Sequence, residues 1–219
     1  MKKFSEKLVM LTNILVIVAF LVFIVGPNGV VYGKWKDWRT TAKAQQQIAD
    51  KWPALTEGGS RLDTGKTAPA FVEFADYQCP FCKNAGRTME QWLASNDTGV
   101  VFRHLPLTAI HPAADGAART AICAEAQGRF RQMHHQLFAD NTWEKDTNWV
   151  REATAAGVPD IPAFEACRHS EKTTARLNAD MKLAEGLGIK GTPTYVARNG
   201  LRQGILTDDM LRLLTQKGQ

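Results

Sequence analysis

The sequence predicts an α/β domain in which a βαβ half is joined to a ββα half, with a block of helices between them and an apolar helix in front. Three observations carry this. Runs of strand-forming residues at 71–75 and 100–105 flank a helical stretch. From 111 to 186 no strand-like run appears, and helical segments follow one another. Two short strands around Asn199-Gly200 and a last helix then close the pattern.

The 219 residues suit one compact domain plus an appendage. With 44% hydrophobic and 22% charged residues, the composition is that of a globular protein. The formal net charge is +5, but acidic residues are spread among the Lys and Arg. No basic run is interleaved with aromatics. The charge therefore describes a mildly basic surface, and no nucleic-acid partner is expected.

Residues 8–25 form an uncharged run broken only by Thr12 and Asn13, long enough to span a bilayer core with little tilt. A buried core helix would need one polar face. A cleaved signal peptide would need a shorter apolar stretch with small residues soon after it. Gly26-Pro27-Asn28-Gly29 offers no such site, and Ala42-Lys43-Ala44 lies too far on. An uncleaved signal anchor is expected within 1–33, in contact with the lipid bilayer. Lys2, Lys3 and Lys7 hug one end and favour a cytoplasmic N-terminus, although Lys34, Lys36, Arg39 and Lys43 follow the other.

Residues 34–64 are expected to form a juxtamembrane helix and a linker. Tyr32, Trp35 and Trp38 beside Lys34 and Lys36 suit the headgroup layer. Apolar or small positions from Trp35 to Trp52 recur near a 3.5 spacing, interrupted at Gln45. This is a solvated stalk or a dimerising seam, and two heptads are too few for a coiled coil. Pro53 is expected to end the helix, with Gly58-Gly59-Ser60 and Gly65 as the linker.

The domain proper is expected over 65–219. Strand 71–75, helix 80–95, a turn at Asn96-Asp97-Thr98-Gly99 and strand 100–105 make a βαβ unit with a right-handed crossover. Helices follow at about 112–127, 130–139, 148–156, 161–169 and 171–185. Gly128, Asp140-Asn141, Gly157-Val158-Pro159 and Gly186 break them. Met133 and His134-His135 sit on one of these helices, in core or surface roles rather than as ligands. After Gly191-Thr192-Pro193 come strand 194–198, the Asn199-Gly200 hairpin and strand 201–205. Thr207 or Asp208 caps a last helix to about 216, with Leu211, Leu213 and Leu214 facing inward. This order is a thioredoxin fold with a helical insertion at about 111–188.

The chemistry lies in Phe71-Val72-Glu73-Phe74-Ala75-Asp76-Tyr77-Gln78-Cys79-Pro80-Phe81-Cys82. If Cys79 opens a helix, Pro80 falls at its first position, where a missing N–H costs nothing. Cys79 and Cys82 then lie one turn apart, within disulfide reach. Unpaired N–H groups and the positive end of the helix dipole favour thiolate at Cys79, below the free value of about 8.5. Cys79 is the candidate nucleophile and Cys82 the resolving thiol. A plain staple or half a zinc site are the other accounts. Zinc would need two more ligands, and His104 and His111 make no recognisable pair. The four cysteines allow three pairings; spacing favours 79–82, which leaves 123–167.

Val72-Glu73-Phe74 through Cys79-Pro80-Phe81-Cys82 resembles the active-site segment of the DsbA-like thiol–disulfide oxidoreductases of the thioredoxin superfamily. Gly191-Thr192-Pro193-Thr194 resembles the cis-proline loop that faces the dithiol in that family. The resemblance runs from about Ala68 to the C-terminus. It implies that Glu73 lies near the buried thiol and exchanges a proton with it; otherwise Glu73 faces solvent on an alternating strand. It implies a cis Pro193, leaving backbone groups of Thr192 free to take a substrate strand. Pro80 and Phe81 join Thr192 and Pro193 in the expected substrate contact. Phe81 stands where the most oxidising members carry histidine, so a weaker oxidant is expected. Some members staple the insertion, which would bond Cys123 to Cys167; two buried thiols are the alternative.

No cofactor or metal is expected beyond the redox-active Cys79–Cys82 disulfide. The implied activity is thiol–disulfide exchange on folding proteins in the periplasm or another extracytoplasmic space, with a quinone-linked membrane protein as reoxidant. The rivals are a reductase or isomerase fed by a membrane electron donor, and a peptide- or metal-binding module of the same fold without turnover.

Overall fold

The computed structural model describes residues 30–63 and 67–215, with side chains from residue 42 onward. The expected membrane span at 8–25 lies outside the described residues. Among those described, no helix is long and apolar enough to cross a membrane. Helix α1 spans Val30–Thr56, and from Gln47 onward the described chain forms a compact unit that holds all the elements that follow.

Pro53 does not end α1, which continues through it to Thr56. Proline removes one helical hydrogen bond. The last turn is held from outside instead: the Arg103 guanidinium donates to the carbonyls of Leu55 at 3.1 Å, Ala54 at 2.6 Å and Glu57. The expected linker also differs. Gly58 turns the chain at φ +67°, and β1 (Ser60–Arg61) pairs antiparallel with β3 (Gly99–His104). Ile48, Trp52 and Leu55 of α1 are core residues. The folded unit therefore begins well before residue 65, because these side chains bury against the sheet.

The sheet has five strands in the order β1-β3-β2-β4-β5. The central strand β2 (Pro69–Ala75) runs parallel to β3 and antiparallel to β4 (Thr194–Ala197), which forms a hairpin with β5 (Gly200–Gln203). Helix α2 (Pro80–Ser95) supplies the crossover between β2 and β3. The insertion comprises α3 (Ala114–Glu125), α4 (Phe130–Ala139), α5 (Trp143–Asp146), α6 (Trp149–Ala155), α7 (Ile161–Arg168) and α8 (Glu171–Gly186). The short α5 is an addition to the expected set. Asn148, Asp160 and Ser170 cap α6, α7 and α8 by accepting from Arg151 N, Ala163 N and Thr173 N. A disulfide joins Cys123 of α3 to Cys167 of α7, with an S–S bond of 2.03 Å. Helix α9 (Asp208–Thr215) ends the described chain. Leu211 and Leu214 point inward, but Leu213 is 57% exposed, because it lies off their i, i+3 stripe.

Strand alternation divides the core. Phe71, Ala75, Phe102, Tyr195 and Ala197 pack with α2, α3, α4 and α9. Val72, Phe74, Val101 and Val196 pack on the other face with the end of α1 and with α8. Glu73 shares the face of Phe71 and Ala75, the one covered by α2.

Candidate active site

The end of β2 aims the chain at the start of α2, and Asp76 fixes the turn between them. Asp76 is buried. Its Oδ1 accepts from Gln78 N at 2.8 Å, and its carbonyl accepts from Cys79 N at 3.1 Å. Its Oδ2 accepts from Leu107 N at 2.9 Å and pairs with His111 Nδ1 at 2.7 Å. Gln78 Oε1 accepts from Ala113 N at 2.9 Å. The approach to the dithiol is thus laced to the entry of the helical insertion. Sequence reasoning passed over Asp76 and Gln78 and weighed His111 only as a metal ligand, since nothing in their spacing marks the contact.

Cys79 is the N-cap of α2, with extended backbone, and Pro80 follows at the first helical position. No acidic side chain stands in the first turn to offset the positive helix end. Both cysteines are buried and unbonded. The Cys79 thiol is pulled down to about 5, chiefly because the Cys82 thiol donates a hydrogen bond to its sulfur; burial opposes this, and the N–H groups of Cys82 and Phe81 assist. Cys82, one turn deeper, is pushed far up, first by burial and then by its donation to Cys79. The pair therefore divides into a ready thiolate and a buried thiol that holds its proton. Phe81, between them, is 61% exposed and offers only an apolar ring.

The Thr192–Pro193 peptide bond is cis. The Thr192 carbonyl lies 3.6 Å from the Cys79 sulfur and accepts from it when Cys79 is protonated. The Thr192 hydroxyl is buried and has no hydrogen-bond partner among the described residues. Thr194 Oγ1 donates to Gly191 O at 2.7 Å and tightens this loop.

Glu73 is 2% exposed and does not face solvent. Its Oε1 accepts from the Tyr195 hydroxyl at 3.3 Å. Burial pushes Glu73 up to about 7, and the Tyr195 hydrogen bond restrains it. Glu73 and Tyr195 stand opposite each other in the β2–β4 register, so their side chains share a face. Tyr195 carried no signal in the sequence beyond strand propensity; only the register reveals its partner. The charges of Glu73 and Cys82 both bear on the Tyr195 phenol.

A model of the DSBA-like thioredoxin domain matches residues 70–215. The chain belongs to this family of thiol–disulfide oxidoreductases. It is 27% identical to a thioredoxin-like oxidoreductase from Silicibacter pomeroyi, with a TM-score of 0.65, over 72% of this chain and 90% of that one. The thiol-disulfide exchange protein alpha-DsbA2 from Wolbachia pipientis shares the fold, with a TM-score of 0.72 at 19% identity, over 81% of this chain and 96% of that one. A Na(+)/H(+) antiporter, NhaA 1 from Mycolicibacterium vanbaalenii, is 37% identical over 135 residues, 60% of this chain but only 22% of that much longer protein. Among the described residues no cluster of His, Cys, Asp or Glu could hold a metal ion. Members of the family work through a redox-active disulfide.

Proposed function

We propose that this chain hands the Cys79–Cys82 disulfide to folding extracytoplasmic proteins. The observation that supports this best is the Cys79 sulfur itself. It stands at the N-terminus of α2, receives the Cys82 hydrogen bond and faces the Thr192 carbonyl of the cis-proline loop.

A substrate thiolate attacks the Cys79 sulfur of the oxidised protein. A mixed disulfide forms, the Cys79–Cys82 bond breaks, and Cys82 leaves as a thiolate. Its buried site disfavours that charge, so it takes a proton, which protonated Glu73 supplies. A second substrate thiolate then attacks the substrate sulfur of the mixed disulfide and releases Cys79 as a thiolate. The two substrate thiolates give up two electrons in forming their disulfide, and the Cys79–Cys82 pair takes them; Cys82 carries the proton from Glu73, which solvent replaces, and Cys79 is left as a thiolate. Cys79 is a good leaving group because its thiolate is stabilised. Thr192, beside Pro193, offers backbone groups to an extended peptide, and the exposed Pro80 and Phe81 give it apolar contact.

Anchoring by 8–25, a periplasmic or other extracytoplasmic site, and reoxidation by a quinone-linked membrane protein complete the proposal. The oxidised protein should form disulfides in a reduced unfolded substrate; in Cys82→Ser the Cys79 thiolate should attack a disulfide of an oxidised substrate and, with no resolving thiol beside it, stay trapped as the mixed disulfide. In intact cells Cys79–Cys82 should be oxidised while its membrane partner is present. A dithiol found reduced there would reverse the direction of flow, and no mixed disulfide in the trapping variant would end the proposal.

A further inference from the structure

We propose that Tyr195 is a positioning residue for exchange: its hydroxyl holds one oxygen of Glu73 so that the carboxyl group passes its proton to and from Cys82. This rests on the exchange reading above, and it adds a residue from the far side of the cis-proline loop.

Four observations converge on Tyr195. It lies two residues beyond Pro193, directly across the sheet from Glu73. Its ring is 1% exposed and is fixed edge-on against Phe71, with centroids 6.0 Å apart. Its hydroxyl donates to Glu73 Oε1 at 3.3 Å. It is the one hydrogen-bond partner found for the Glu73 side chain among the described residues. A carboxylate accepts through two oxygens. With Oε1 tethered, Oε2 remains for proton transfer, and the rotation of the group is restricted.

Tyr195 is a neutral donor that keeps its proton: burial, first, and then the neighbouring Glu73 and Cys82 push its ionisation far up. It therefore stabilises the carboxylate without competing as an acid in the neutral range. Removing the hydroxyl takes away the hydrogen bond that counters burial, so Glu73 should hold its proton to higher pH.

The test uses the folded protein with Tyr195→Phe. In the dithiol form, the protonated carboxyl of Glu73 is followed by infrared absorption and assigned by subtracting the Glu73→Gln spectrum. Its midpoint should rise by about one pH unit, a tenfold change in proton affinity. The pH profile of substrate oxidation should move by a similar amount in the same direction. Adding Tyr195→Phe to Glu73→Gln should then leave that profile where Glu73→Gln alone puts it. An unmoved infrared midpoint, or an unmoved exchange profile in a wild-type protein that exchanges, overturns the proposal. If the wild type exchanges nothing, the exchange reading itself falls and the relay proposal with it, while the infrared midpoint still reports whether Tyr195 governs Glu73. Should Tyr195→Phe fail to fold, 3-fluorotyrosine placed at this site keeps the ring and strengthens the donor. The midpoint must then fall, and a fixed one refutes the proposal.

Discussion

Two buried carboxylates lie on opposite faces of the same sheet, and they are treated very differently. Asp180, on α8, accepts from the Arg103 guanidinium at 2.6 Å and from His104 N at 3.0 Å. Arg176 stands 3.9 Å away. The same guanidinium ties down the end of α1. Burial still pushes Asp180 up, but Arg103, the His104 N–H and Arg176 all oppose it. Glu73, on β2, has one neutral donor at 3.3 Å. The first group is held as an ion by every neighbour. The second is left near the midpoint of its titration, at about 7. The number of partners separates a carboxylate that braces the fold from one that can exchange a proton near neutral pH.

The largest expected effect breaks the bracing side. Arg103→Met strands Asp180 and the last carbonyls of α1, and should cost about 3–5 kcal/mol in urea unfolding. Arg103→Met with Asp180→Leu should recover much of that, since an apolar pair of similar volume removes the stranded charge. Neither change should move the pH profile of exchange. If Arg103→Met moves it as far as Glu73→Gln does, the division between the two faces is wrong.

Glu73→Gln sharpens the contrast from the other side. In the folded dithiol form Glu73 keeps its proton up to about 7, while in the unfolded chain it loses it near 4.5. Its contribution to stability is complete below pH 4.5 and is lost as pH rises through 7. At pH 8 the wild type carries a buried charge that glutamine avoids. Glu73→Gln should therefore be more stable there by about 3 kcal/mol, with the gap closing toward acid pH. Paired denaturation series at several pH values measure it. A constant gap would mean that Glu73 does not titrate in the folded protein, and its proposed relay role would fail.

Much of this arrangement was legible in the sequence and part of it was not, for physical reasons. Strand alternation, glycine breaks and the Asn199-Gly200 turn are local signals, and they located β2, β3, β4, β5 and the long insertion helices to within a few residues. Cys79-Pro80-Phe81-Cys82 is also local, since a proline at the first helical position fixes where α2 begins. The end of α1 was misjudged because its last turn depends on Arg103, far along the chain. Arg103 itself reads as a stray charge in a strand until Asp180 arrives from α8. The burial of Glu73 and its pairing with Tyr195 depend on which strand lies beside β2. Periodicity within a strand does not carry that information, and the register does.

A buried histidine gives a smaller test of the active-site face. The Tyr77 hydroxyl and His134 Nδ1 are hydrogen-bonded at 3.1 Å, amid Phe102, Phe130 and Phe138. Burial lowers His134 to about 3 from 6.5, so the unfolded chain takes up a proton that the folded one refuses. Stability should fall as pH drops below 6.5 and go on falling toward 3, by about 2 kcal/mol at pH 5 from this residue. His134→Phe should flatten that acid slope while leaving the Glu73-dependent change above pH 4.5 in place. If both slopes change, the two groups are coupled and the carboxylate is not governed from the sheet alone.

The smallest expected effect concerns the dithiol. Cys79 at about 5 falls between thiols of about 7 in thioredoxin and about 3.5 in DsbA. The Cys79–Cys82 potential should accordingly lie between about −270 and −120 mV. Phe81 contributes neither charge nor N–H donor to the thiolate, and its exposed position leaves room for a side chain that does. Phe81→His should lower the Cys79 titration further and raise the potential by about 30 mV for each pH unit gained. Equilibration with glutathione gives the potential, and thiolate absorbance gives the titration. Because Phe81 lies outside the buried pair, the Glu73 midpoint should stay fixed while the potential rises. A Phe81→His protein whose potential does not move would show that the helix end and the Cys82 hydrogen bond alone set the oxidising strength of this site.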